Sequence, residues 1–268
     1  MTEAELQRER IRGRYAGVAA ILAGILFPVG VFWSQSITND RPTDNEPAEL
    51  RFFHRHADTL LWSSALRAVA LLLLIVVTLH LYRATRSRKP DTNPVVMFVA
   101  VFGPAALAIG GFAHDVFLAV VSADFAGRDF QTIDLAEDLS SSWVRLITIG
   151  LSVAGTIGLA FWFIIGSLNA MRAGLLTRFM GVLGVIIGPA FLFGLAPLLI
   201  TFWLLAVGAL FLGVWPRSAP PAWAAGEAVP WPGRYSEAPA GDPDAVPNGE
   251  VKAVGPGVRE DRPPSDRG

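Results

Sequence analysis

The chain has 268 residues, 52% of them hydrophobic and 17% charged, with a net charge of −1 and no cysteine. A mean hydropathy of +0.45 is out of character for a soluble domain of this length. The near-zero charge is sorted between segments rather than gathered on one basic face, which argues against a nucleic-acid partner, and the lack of cysteine removes disulfides, thiolate metal sites and cysteine nucleophiles.

Residues 1–14 form a charged segment in which Arg8, Arg10, Arg12 and Arg14 are mixed with Glu3, Glu5 and Glu9. That mixture, with no small-x-small site after Trp33, predicts an uncleaved first helix rather than a signal peptide. The apolar stretch 15–33 comes next, and five more lie at 60–82, 95–121, 143–169, 176–194 and 196–215. A helix needs about 20 apolar residues to cross a hydrocarbon core of roughly 30 Å, and its backbone must be satisfied within the segment. The expected fold is therefore all-α, a six-helix transmembrane bundle over 15–215.

The connections alternate in charge. The first loop holds Asp40, Asp44, Glu46, Glu49 and Asp58 against Arg41, Arg51 and Arg55; the second holds Arg83, Arg86, Arg88 and Lys89. The third holds Asp124, Asp129, Asp134, Glu137 and Asp138 against Arg128, and the fourth holds Arg172 and Arg178. Basic flanks prefer the cytoplasm, so both termini are expected inside and the two acidic loops outside. Trp33, Trp62 and Trp143 then mark the outer boundary and Tyr15, Tyr82 and Trp215 the inner one, as amphipathic aromatics do. Abundant alanine, glycine and proline, with arginine far above lysine, points to a bacterial cytoplasmic membrane.

Before the second span, Asp44 or Asn45 can cap a helix, Pro47 suits its first turn, and Leu50, Phe53, Ala57 and Leu60 recur at helical spacing. This predicts a short outer interfacial helix that bends into the membrane. Asp134 can cap a second short helix through Leu139. Within the spans, Ala20 and Gly24, Ala154 and Gly158, and Gly181, Gly184 and Gly188 form small-residue stripes suited to close helix packing. Pro28, Pro104 and Pro189 fall inside the odd-numbered spans, where each removes a backbone donor; transporters place substrates at broken helices, although proline is common in ordinary membrane helices.

Ionisable groups inside a membrane are functional hypotheses by default. They are Arg67, His114, Asp115 and Arg145. Counting at 1.5 Å per residue puts Arg67 and Asp115 in one layer roughly 10 Å below the outer boundary. An ion pair between them is the economical reading, serving either as a structural clamp or as a binding or proton-transfer site. His114 points about 100° away from Asp115 around the helix, and Arg145 is placed to snorkel to the outer headgroups. His54 and His56, near Glu49 and Asp58, match no zinc spacing, and His80 reads as interfacial. Ser63, Ser64 and Ser140 to Ser142 stand in no nucleophile-elbow context and read as capping or packing groups. No catalytic residue, metal site or cofactor is expected.

After Trp215 the chain lacks Leu, Ile, Phe and Met and is rich in proline. Residues 216–268 are therefore expected to be a disordered cytoplasmic tail. Trp223, Trp231 and Tyr235, flanked by prolines, suit either a partner's groove or the headgroup layer.

Leu81-Tyr82-Arg83-Ala84-Thr85-Arg86, the run Met171 to Gly181, and Pro220-Pro221-Ala222-Trp223 through Pro230-Trp231-Pro232 resemble segments of an uncharacterised multi-pass bacterial membrane protein family, a domain of unknown function. The resemblance implies an integral membrane protein and supplies no reaction or substrate. The expected function is that of a membrane scaffold or regulatory protein whose partners are the lipid bilayer and, through the tail, another protein. The alternatives are a small-solute or proton-coupled transporter using Asp115 and Arg67, and a membrane-embedded enzyme.

Overall fold

The computed structural model describes residues 2–43, 45–195, 197–215 and 219–229. They fall within the first of two units, Met1–Trp231; Trp231, Tyr235 and the expected tail from 230 onward lie outside the described residues. Every described secondary-structure element is helical: α1 Glu3–Thr38, α2 Glu46–Arg88, α3 Val95–Ala126, α4 Ile133–Ser140, α5 Trp143–Arg172, α6 Arg178–Leu192, α7 Pro197–Leu212 and α8 Ala222–Ala225.

Four of these, α1, α2, α3 and α5, are long and apolar enough to cross a membrane. Six were expected. The fifth and sixth apolar stretches form α6 and α7, of 15 and 16 residues, each only about 22–24 Å long at 1.5 Å per residue. Their shortness has a local cause. Gly194 adopts a left-handed φ of 69°, and the Leu195 N–H reaches back to the Ala190 carbonyl at 2.9 Å, closing α6 as a Schellman-type cap. Pro197 then opens α7, where its missing N–H costs nothing.

The long helices, by contrast, overrun their apolar stretches. Thr2 and Glu5 form a capping box that starts α1 twelve residues before Tyr15, and the Thr2 groups hold the Glu5 carboxyl below its ordinary range. Asn45 caps α2 by accepting from the Ala48 N–H, with Pro47 in the first turn. The outer helix expected before Leu60 is nevertheless not separate. No glycine or proline occurs between Ala48 and Arg88, so nothing interrupts the backbone ladder and α2 runs unbroken for 43 residues. The separate short helix is α4, capped by Thr132 rather than Asp134.

Packing follows chain order: α1 against α2 and α7, α2 against α3, α3 against α5, and α5 against α6. The backbones of α3 and α5 approach closely: a Cβ at Gly155 would stand 2.3 Å from the Leu107 nitrogen and one at Gly103 2.6 Å from the Leu159 nitrogen. Gly181, Gly184 and Gly188 turn toward Met171, Ser167 and Ile164 of α5, as the small-residue stripe implied. Trp162 and Trp203 lie fully buried with rings 6.1 Å apart and nearly perpendicular, and the Trp203 indole donates to the Met180 carbonyl at 3.1 Å. Large apolar side chains such as Leu22, Val76, Ile109, Leu146 and Phe161 are exposed on the outside of the long helices, the pattern a lipid-facing surface requires.

Beyond Trp215, residues 219–229, expected to belong to the tail, lie as a strap across one end of the bundle, with Ala222 fully buried. The bundle supplies the apolar contacts and hydrogen-bond partners that the segment's own composition lacks.

Candidate functional site

Two polar clusters lie along α2. At its middle, Arg67 Nη2 lies 2.9 Å from Asp115 Oδ2, joining α2 to α3. The side chains are 33% and 22% exposed, so the pair is only partly buried between the helices. Gly30 of α1 makes room for it, because a Cβ there would be 2.7 Å from Arg67 Cγ. Arg67 Nε is buried without a hydrogen-bond partner.

His114 turns to another helix. Its Nδ1 lies 3.3 Å from the Thr148 hydroxyl of α5, and that hydroxyl donates to the Arg145 carbonyl at 3.0 Å. Adjacent residues of α3 thus serve α2 and α5 separately, as their 100° offset demands. Arg145 is half-buried and donates to the Ser140 carbonyl at 3.4 Å, bracing the turn between α4 and α5. The nearby serines cap and pack: Ser63 donates to Leu60, Ser141 donates to Asp138, and Ser142 caps α5. Around the first loop, Arg41 bonds Glu49 and lies over the Phe53 ring, 5.0 Å from its centroid. His56 packs on Phe52 while His54 is exposed. Among the described residues no group of three or more His, Cys, Asp or Glu could hold a metal ion. Asp124 lies 3.0 Å from Arg128 and holds the guanidinium above its ordinary pKa.

The second cluster, at the C-terminal end of α2, was missed by sequence reasoning. Arg88 was counted there as one loop cation among several. Its side chain is fully buried and meets Glu9 of α1 through both carboxylate oxygens, at 2.8 and 3.1 Å. It also donates to the Ala222 carbonyl of the strap at 2.9 Å and to Ala84 at 3.0 Å. Its guanidinium carbon stands 5.3 Å from the Trp223 ring centroid, a cation–π geometry. Trp223 in turn donates from Nε1 to the Leu175 carbonyl at 2.8 Å, stacks on His80 at 5.9 Å and meets Phe211 edge-on.

One expectation is corrected here: His80 is buried between Phe211 and Trp223 rather than interfacial. Tyr82 is buried as well, and its hydroxyl accepts from Arg86. The sequence did carry one signal, Glu9 interrupting the basic run of the first segment, since a lone acid among arginines has a partner to find. Gly174 fixes the strap's far end. Its φ is +75°, and a Cβ there would fall 2.0 Å from the Val229 carbonyl oxygen; the Val229 N–H itself bonds the Ala173 carbonyl at 3.3 Å.

Between these clusters, a cavity of about 10 Å³ is lined by Tyr82, Thr85, Thr92, Trp162 and Asn169 among others, close to the ~10–15 Å³ needed for a single water. The Trp162 indole N–H is buried without a protein partner.

Residues 15–216 match a family model described as Domain of unknown function (DUF4386). Comparison with curated proteins and with solved structures gives no match.

Proposed function

Because the chain belongs to this domain-of-unknown-function family, whose model covers residues 15–216, we propose that it is a six-pass protein of the bacterial cytoplasmic membrane acting as a scaffold or regulatory subunit. The observation that carries the reading is how the polar side chains within the helices are used. Arg67 binds Asp115, His114 meets Thr148, Thr78 donates to the Ala100 carbonyl at 2.7 Å, and Trp203 reaches Met180. Each contact ties one helix to its neighbour, which suits a molecule whose task is to hold an arrangement. Asp115 and His114 address separate helices, which disfavours a membrane-embedded enzyme needing both in one cavity.

α6 and α7 complete the six passes in this reading, since short helices are accommodated by local bilayer thinning at modest cost. Arg83, Arg86, Lys89, Arg172 and the strap then share the cytoplasmic side, with the segment after Val229 extending from it toward a protein partner. The native chain has no cysteine, so single cysteines report topology cleanly. In intact cells, cysteines at Gln131 and Leu195 should react with an impermeant maleimide and one at Asp91 should not. Protection at Leu195 overturns the six-pass arrangement.

For the scaffold itself, in-membrane crosslinking compares the full chain, a chain ending at Val229, and the Arg67→Gln/Asp115→Asn double variant. A scaffold acting through its tail loses a specific partner on truncation and keeps it in the double variant. A partner set unchanged by truncation overturns it. The second reading, a proton-coupled or small-solute carrier, is favoured by the partial exposure of the Arg67–Asp115 pair. Dissipation of a proton gradient by reconstituted protein, abolished in the double variant, would establish that reading instead.

A further inference from the structure

We propose that the small cavity between α2, α5 and the turn over 89–94 binds one internal water molecule, held by the Trp162 indole and joining the three segments. The cavity measures about 10 Å³, at the ~10–15 Å³ that one water requires and too small for a larger ligand. Its walls are closed to solvent: Trp162 is 1% exposed, Thr85 3%, Tyr82 5% and Thr92 6%. Trp162 carries the observation that points to an occupant. Its indole N–H is buried without a protein partner, whereas Trp203 and Trp223 both donate to carbonyls; a buried donor left unmade bears its full desolvation cost. The N–H edge of the ring faces Gly166, where a Cβ would stand 3.0 Å from Trp162 Cε2 and 3.3 Å from Nε1. Gly166 also lines the cavity, so its missing side chain leaves the space beside the unpaired donor.

The remaining polar groups of the lining suit a water better than an ion. Thr85 donates its hydroxyl to the Leu81 carbonyl at 2.8 Å and Thr92 donates to the Lys89 carbonyl at 2.7 Å, so each oxygen keeps lone pairs for a further donor. Tyr82 accepts from Arg86 at 3.0 Å and keeps its own O–H to give. Asn169 offers both an acceptor and a donor through its amide. Donors and acceptors thus occur together, and no lining residue is charged. A water accepts from the indole and donates to a hydroxyl or amide oxygen. A cation would meet the positive end of the N–H dipole, and an anion would have no counter-charge. Internal waters make about three hydrogen bonds each, so one placed here links α5 to α2 and to the turn that leads into α3.

Nuclear magnetic resonance of the full chain in lipid nanodiscs, with nitrogen-15 in the tryptophan indoles, tests the site with water itself as the probe. The chain has eight tryptophans, few enough for their indole signals to be resolved, and the Trp162 signal is identified by its loss in Trp162→Phe. The expected result is a nuclear Overhauser cross-peak between this indole proton and water, with the sign of a water that tumbles with the protein. It should disappear in Gly166→Ala, whose methyl takes the water's space, while the other indole signals keep their positions. A crystal structure of the parent chain that shows ordered waters is the second measurement, and it decides alone if Gly166→Ala does not fold: density for one water within hydrogen-bonding distance of Trp162 Nε1 is expected. No cross-peak in the parent, a cross-peak unchanged in a folded Gly166→Ala, or a crystal structure in which the Asn169 amide oxygen accepts the indole N–H directly overturns the site. None of these readouts depends on which side of a membrane the cavity lies, so the site can fail without the six-pass arrangement failing, and the reverse.

Discussion

Arg67 and Asp115 show how far a residue can be read from sequence. Counting depth along two helices put both in one layer, and the burial of unpaired charge did the rest. Removing Asp115 alone leaves the guanidinium facing a part-buried site whose Nε already lacks a partner. A fully buried pair would cost about 3–5 kcal/mol to break; with side chains 33% and 22% exposed, the pair is only partly desolvated by the protein and the cost falls to roughly 1–3 kcal/mol. Asp115→Ala should therefore unfold more readily than the Arg67→Gln/Asp115→Asn double variant, measured by thermal unfolding in a fixed lipid. If the single variant is no worse than the double, the pair contributes no clamp. Arg88 was not readable in the same way, because charge counting treats every basic residue at a helix end as a solvated topology signal. What sets it apart is three-dimensional: Glu9 and Ala222, 79 and 134 residues away in sequence, both lie against it. Lysine has one charged tip in place of a fork, so Arg88→Lys keeps the charge and still loses the Ala222 contact or one Glu9 contact. The expected cost is about 1–3 kcal/mol, and a variant as stable as the parent would mean the buried cluster is not holding the strap.

At the scale of elements, apolar runs located the helices and breakers decided where the helices stop. The unbroken α2 was knowable from the absence of glycine and proline after Ala48; the expected bend was drawn from the change in hydropathy, to which a helical backbone is indifferent. The ends of α6 and α7 depended on Gly194 taking a left-handed φ, which a glycine in an apolar run does not announce. The strap was the least legible element. Its composition alone cannot offset ordering entropy, and its order comes from a surface built by α2, α7 and the α5–α6 turn. Gly174 is where that dependence is sharpest. Alanine at φ +75° costs about 1–2 kcal/mol of backbone strain, and its Cβ cannot coexist with the Val229 oxygen at 2.0 Å. In Gly174→Ala the strap should detach while the helices persist. Hydrogen exchange over 219–229 reads this directly: faster exchange there with unchanged protection in α3 and α5 is expected, and unchanged exchange in the strap would show that Val229 is not its anchor.

Taken as a whole, the bundle is held by different chemistry at its middle and at one end. Midway along α2, a partly exposed ion pair joins it to α3; at the C-terminal end of α2, a buried arginine gathers α1, α2 and a segment that returns from beyond α7. The family match ends at residue 216, before the strap begins, yet Trp223 fills a site formed by His80, Phe211 and Arg88, all within the matched region. A chain stopped at Trp215 would keep every long helix and lose the Trp223–Leu175 and Arg88–Ala222 hydrogen bonds together. It would also leave the Arg88–Glu9 pair and the His80 ring uncovered. With a partly buried tryptophan removed, the loss should be roughly 2–4 kcal/mol, below the 3–5 typical of a fully buried one. A chain stopped at Val229 retains all of these contacts and should unfold at the temperature of the full protein. If both truncations unfold alike and like the parent, the strap contributes nothing to the bundle. If only the shorter one is destabilised, the folded unit ends at Val229, and residues 230–268 can engage a partner without loosening the helices that carry them.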